Sequence, residues 1–174
     1  MKKAFTLVEL LIVIAILGIL TIGILIALDP VEQTRRGTDT TVLTSSGEMK
    51  NANDRYYASK LYFPWCESTS PAGGCTFRAG CAASTAYLLN TGCGSTTVDQ
   101  LVNTGELKSN PPASITSVVY VAIGSDGTTF NISFNPISKS YDTDDNTKYI
   151  DSSCTTLGTG TTCTTAPNDC YYCL

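Results

Sequence analysis

Two kinds of residue in this chain have types and spacings suited to chemistry: eight cysteines and a scatter of carboxylates, in 174 residues without a histidine. Cys66, Cys75, Cys81 and Cys93 form one group, and Cys154, Cys163, Cys170 and Cys173 form a second. An even number of cysteines in loop-like sequence points to disulfides made in an oxidising compartment. The alternative is zinc, since Cys170 and Cys173 have the C-x-x-C spacing. A zinc site needs a second such pair or histidines, and the sequence has neither. Each group spans a compact segment, so pairing within groups is expected, with the individual bridges left open.

The carboxylates suggest less. Asp142, Asp144 and Asn146 are spaced like the first ligands of a calcium loop. The glycine that should follow Asn146 is missing, and Ser153 stands where a bidentate glutamate belongs. Calcium is the one cofactor these residues suggest, and a solvated turn is the plainer alternative. Without histidine no Ser-His-Asp or Cys-His arrangement exists. No P-loop or dinucleotide fingerprint is present either, so no enzyme is expected. The net charge of −4 argues against nucleic acid as the main partner. Asn131-Ile-Ser133 has the glycosylation pattern but falls in an expected strand.

The carboxylate that asks for an explanation is Glu9, at the head of the apolar run in MKKAFTLVELLIVIAILGIL. From Leu10 to Leu28 the only polar side chain is Thr21. As a helix this run extends ~28 Å, close to the ~30 Å hydrocarbon core of a bilayer. Lys2 and Lys3 precede it and should stay cytoplasmic, which places the cysteines outside. A cleaved secretory signal fits poorly, because the run is too long, Glu9 interrupts it and no A-x-A site follows. A plain membrane anchor explains the length and leaves Glu9 unexplained. Gly18 and Gly23, each worth ~1 kcal/mol of helix stability relative to alanine, suit either close helix packing or a stretch able to unwind.

The rest of the chain supplies the elements that carry these residues. The helix is expected to run past Asp29 with a kink at Pro30. Val42, Met49 and Tyr56 recur beyond it at a spacing of seven, with Ser45, Ser46, Ala52 and Asn53 beside them. This is a narrow apolar stripe on a polar helix, ended by Pro64. Cys66 to Gly94 reads as a bridged loop. Thr97-Val-Asp-Gln100 matches a capping box for a short helix to about Leu107. Val118 to Phe134 alternates around Ser125-Asp126-Gly127 and predicts a β-hairpin. A third strand is expected near Lys148 to Ile150, and Thr155 to Thr165 should be irregular.

The opening resembles the N-terminus of type IV pilins and type II secretion pseudopilins: a short basic leader, a cut before Phe, then F-T-L-V-E-L into an apolar helix. Asp29-Pro30-Val31-Glu32-Gln33 and Tyr56-Tyr57-Ala58 to Tyr62-Phe63-Pro64 resemble the continuation found in many pilins. The leader usually ends in Gly and here ends in Ala4. The resemblance implies an α+β, pilin-like lollipop: a long N-terminal helix, transmembrane then amphipathic, carrying a small antiparallel sheet with disulfide-stapled loops. It implies a leader over 1–4, a filament-core helix over 5–29, an amphipathic half over 30–63 and a Cys-rich head over 64–174. A prepilin peptidase would cut between Ala4 and Phe5, Phe5 would be N-methylated, and Glu9 would serve assembly. Gly18, Gly23 and Pro30 would give the helix its flexibility. The implied partners are the inner membrane, the pilus assembly machinery and further copies of the chain in an extracellular helical filament. A minor pilin, a pseudopilin or a membrane-anchored adhesin are the alternatives.

The amine freed by the cut would lie four residues from Glu9 on a helix, where the two could pair within a chain or between chains.

Overall fold

The computed structural model describes residues 5–27, 29–69, 74–142, 147–158 and 170–174. The chain divides into two compact units, 1–35 and 36–174.

Helix α1 spans Leu7–Ala27 and α2 spans Pro30–Lys60. The expected continuous, kinked helix is instead two helices. Asp29 sits at φ 36°, outside helical backbone. Its carboxylate accepts the Glu32 N–H at 3.3 Å and its carbonyl accepts the Gln33 N–H at 3.3 Å. Asp29 is therefore an N-cap, and Pro30 occupies the first helical position, where a missing N–H costs nothing. A proline there starts a helix more cheaply than it kinks one.

Within the larger unit, α2 buries the expected stripe: Val42, Ser46, Met49, Ala52, Asn53 and Tyr56. Its stop is local. Leu61 adopts φ 63° and donates its N–H to the Tyr57 carbonyl at 2.7 Å, a left-handed C-terminal cap made without glycine. The chain then turns inward through Phe63 and Trp65. Trp65 is fully buried, stacks on Phe63 at 4.7 Å and lies 5.5 Å from Phe130. Its indole N–H donates to the Gly127 carbonyl at 2.8 Å, so its one polar atom is satisfied.

The segment expected to be a loop from Cys66 to Gly94 holds three strands: β1 (Cys66–Thr69), β2 (Cys75–Phe77) and β3 (Thr85–Leu88). Strands β1 and β2 pair antiparallel, and the Cys66–Cys75 disulfide joins them. Such short, Cys- and Gly-rich strands carry little alternation of their own. Partners distant in sequence decide them.

Helix α3 runs Gly92–Asn103, so the capping box expected at Thr97 does not form. Thr97 lies mid-helix, buried, and its hydroxyl donates to the Cys93 carbonyl at 2.9 Å. The helix starts earlier because the Cys81–Cys93 disulfide and Gly94 fix its first turn. A Cβ on Gly94 would meet the Leu88 carbonyl at 1.9 Å, so only glycine lets α3 pack this close to β3. The helix ends at Asn103 rather than near Leu107. Gly105 takes φ 81°, and the N–H groups of Gly105 and Glu106 return to Val102 and Leu101, a Schellman motif.

After a short α4 (Ala113–Thr116), the expected hairpin forms from β4 (Val119–Ile123) and β5 (Phe130–Phe134), with Val119 opposite Phe134 and Ile123 opposite Phe130. A brief α5 (Lys139–Asp142) leads towards β6 (Thr147–Tyr149), and β7 is Tyr171–Cys173. The main sheet is antiparallel with five strands, in the order β3-β4-β5-β7-β6. The expected third strand exists as β6, but it pairs with β7 and not with the hairpin. One sheet face holds Val119, Val121, Ile123, Ile132 and Phe134 and packs with the α2 stripe in a single core. Each large side chain buried there is worth roughly 1.5–3 kcal/mol.

Asp39 and Arg55 of α2 reach side and main chain far along the sequence. Asp39, 2% exposed, accepts the Ile137 N–H at 3.1 Å and the Ser138 N–H at 2.8 Å. Arg55 donates to the Glu106 carboxylate at 3.1 Å and to its carbonyl at 2.7 Å. Three disulfides, Cys66–Cys75, Cys81–Cys93 and Cys154–Cys173, each close within one of the two sequence groups. Cys170 is also disulfide-bonded, while Cys163 lies outside the described residues. Tyr171 packs edge-on against Tyr120 and Tyr172 stacks on Phe134. The Asn131 amide donates to the Ser153 carbonyl at 3.3 Å and the Ser133 hydroxyl to Ser152 at 2.6 Å, which uses both polar ends of the sequon in holding a loop.

Candidate functional site: the N-terminal helix

Phe5 and Thr6 precede the first helical residue, and Phe5 is 82% exposed. Ala4 lies outside the described residues. Thr6 begins the helix. Its carbonyl accepts the Leu10 N–H at 3.4 Å, and its hydroxyl oxygen faces the Glu9 N–H at 3.3 Å. The Glu9 carboxylate turns back to accept the Thr6 N–H at 2.9 Å and the Thr6 hydroxyl at 2.8 Å. This is a reciprocal capping box, in which each residue satisfies an orphan donor of the other. The T-x-x-E signature is present in Thr6-Leu-Val-Glu9. The signature is legible in the sequence, although Glu9 there also reads as a lone charge at the head of an apolar run.

The capping box uses one carboxylate oxygen, Oε2, for both hydrogen bonds. Glu9 therefore has a local role in a single, uncut chain. It does not need the Phe5 amine to form, and Thr6 keeps both of its groups after a cut before Phe5.

Beyond Glu9, α1 is a continuous apolar rod. Leu7–Ile24 has a mean hydropathy of 2.8 and none of it is buried. At ~1.5 Å per residue it extends about 27 Å, long enough to cross a membrane. The full exposure separates it from the core helix of a soluble fold, which would be covered. Thr21 donates its hydroxyl to the Leu17 carbonyl at 2.8 Å, so the one polar side chain within the apolar run is satisfied by its own helix.

Gly18 and Gly23 sit within this helix, and a Cβ at either would meet nothing within 4 Å. Among the described residues no close contact calls for glycine at these positions. Pro30 lies apart from them as the first residue of α2. Of the weak calcium candidates, Asp144 and Asn146 lie outside the described residues, and only the backbone of Asp142 is described, as the last residue of α5.

No curated protein sequence and no solved structure shows significant similarity to the chain. Residues 1–25 match the model of the family described as the prokaryotic N-terminal methylation motif. That span takes in the basic leader, the Ala4–Phe5 bond, the capping box and nearly all of the apolar rod. The chain thus opens with the class III prepilin signal, the N-terminal methylation motif of type IV pilins and pseudopilins.

Proposed function

We propose that this chain is a structural subunit of a type IV pilus, cut between Ala4 and Phe5, methylated on Phe5 and polymerised through α1. The observation that carries the proposal is the combination in α1 of a fully exposed apolar rod with a single carboxylate, Glu9. Such a surface is stable only in a bilayer or in a bundle of like helices. In a bilayer alone Glu9 serves only the capping box with Thr6, which an uncharged glutamine would also serve. A bundle gives the charge itself a use, because the cut creates an amine that a neighbouring chain can present to Glu9.

With Oε2 held by Thr6, the capping box orients the carboxylate so that its other oxygen can take a cation. Docking one register wrong would strand a buried charge, at a cost of roughly 3–5 kcal/mol. Gly18 and Gly23, which are not crowded by any described residue, serve this bundle by close helix contact or by local unwinding. The disulfide-stapled unit is then the part displayed outside the cell. A prepilin peptidase and the pilus assembly machinery act on the chain from the inner membrane.

The test is mass spectrometry of the N-terminus together with electron microscopy of surface filaments. The expected mature chain begins at methyl-Phe5 and is found in filaments. A chain that still begins at Met1, on cells without filaments, would overturn the proposal.

A further inference from the structure

The outer face of the main sheet, opposite Val119, Val121 and Ile123, carries Leu88, Tyr120 and Ser133 in one row across β3, β4 and β5 and smaller side chains towards the end of the hairpin. Ala86, Ala122 and Asn131 are in register across them. The segment 151–156 lies over part of this face. The Asn131 amide and the Ser133 hydroxyl hold it by the Ser153 and Ser152 carbonyls, and the Cys154–Cys173 bridge fastens it to β7. Between this segment and the end of the hairpin is a cavity of about 420 Å³, within the usual range for small-molecule sites.

Among the described residues the polar lining is Ser84, Ser125, Thr129, Asn131, Ser153 and Thr155, none of them charged. Ser84 and Ser125 are exposed and Ser153 is half-buried, so their hydroxyls face the opening of the cavity. The two nearby carboxylates are occupied by their own turns. Asp126 accepts from the Thr128 N–H and hydroxyl, and Asp151 accepts from the Thr155 and Thr156 N–H groups. A phosphate or carboxylate ligand would find no cation among the described lining residues. An apolar ligand would cover these exposed hydroxyls without replacing their hydrogen bonds to solvent.

We propose that this cavity binds a neutral, polyhydroxylated ligand of the carbohydrate class. The Ser84, Ser125 and Ser153 hydroxyls can each donate and accept, while the Thr129 and Thr155 hydroxyl oxygens, whose protons go to Asp126 and Asp151, remain as acceptors, a mixture that matches the donors and acceptors of a sugar ring. The disulfide and the Asp151 hydrogen bonds fix the wall before binding, so little ordering is required of the protein. The site lies wholly in the unit 36–174 and does not depend on what α1 does.

The test is saturation-transfer NMR on the full chain in detergent micelles, with a panel of neutral mono- and disaccharides and with sugar phosphates as controls. Ser125 lies in an exposed turn at the rim, so Ser125→Trp blocks the cavity without touching the core. The paired change Ser84→Ala, Ser153→Ala removes two ligand groups. At least one neutral sugar should bind saturably, Ser125→Trp should abolish that binding, and the double variant should weaken it about tenfold, with thermal unfolding unchanged. The proposal is overturned if no neutral sugar binds the folded chain. It is also overturned if sugar phosphates bind as well as the neutral sugars, or if Ser125→Trp binds like the parent.

Discussion

Replacing Glu9 in two ways separates its local role from the role between chains proposed above. Glu9→Ala removes both the capping box and the charge. Glu9→Gln keeps an amide oxygen able to accept the Thr6 N–H, at present accepted at 2.9 Å, and removes only the charge. Losing the cap costs about 1 kcal/mol of helix initiation, a minor loss in a helix of 21 residues that a membrane also supports. Losing the buried partner of a neighbour's amine costs roughly 3–5 kcal/mol. That is about two to four orders of magnitude in the affinity for each added subunit.

Thr6→Val completes the set, because it breaks the capping box while leaving the charge. The assay is the fraction of the protein in sheared surface filaments, relative to the membrane fraction, with the N-terminus checked by mass spectrometry. Glu9→Gln and Glu9→Ala should both be cut at Ala4–Phe5 and remain in the membrane, with almost nothing in filaments. Thr6→Val should assemble at a level nearer the parent. If Glu9→Gln forms filaments as well as the parent does, Glu9 serves as a cap and the charge-pairing argument is wrong.

Four further outcomes are expected from the larger unit, all read by unfolding of the full chain in micelles or by NMR. Asp39→Ala leaves the Ile137 and Ser138 N–H groups without their acceptor and should cost about 2–4 kcal/mol, with Asp39→Asn recovering part of it. Gly47→Ala adds a methyl that meets nothing within 4 Å on α2 and should raise stability by about 0.5–1 kcal/mol. Replacing Cys154 and Cys173 together by serine opens a bridge across a sequence separation of 19 and should cost about 3 kcal/mol. Partial burial is the largest single influence on Asp151 and raises its pKa, but hydrogen bonds from Thr155 and Thr156 together outweigh it and hold the carboxyl below its ordinary value. A depressed carboxylate stabilises above its unfolded pKa, and that stabilisation is lost as pH falls through the folded value. The 151–156 turn should therefore stay protected from hydrogen exchange at neutral pH and loosen below the ordinary aspartate range, whereas Asp151→Asn should lack that acid transition.

The sequence by itself determined what depends on local pattern. The apolar rod, the α2 stripe through Val42, Met49 and Tyr56, and the β4–β5 hairpin all carry periodicity strong enough to stand alone. The methylation motif is also local, and so is the Thr6–Glu9 capping box, legible though overlooked. Thr97-Val-Asp-Gln100 shows the limit of such signatures. It has the letters of a capping box, yet Thr97 is buried in mid-helix.

Only the tertiary structure decided the rest. Strands β3 and β7 are short and join the sheet through partners distant in sequence, β7 beside β5 and β6. Helix α3 begins where Gly94 can approach Leu88 and Cys81 can reach Cys93. Asp39 finds donors 98 and 99 residues away. The cavity at the hairpin end is bounded by side chains from four separate stretches of chain. Local pattern fixes elements through backbone geometry and the burial of one face. Register, helix starts and cavities are set by contacts whose partners are not neighbours in sequence, and those exist only once the chain has closed on itself.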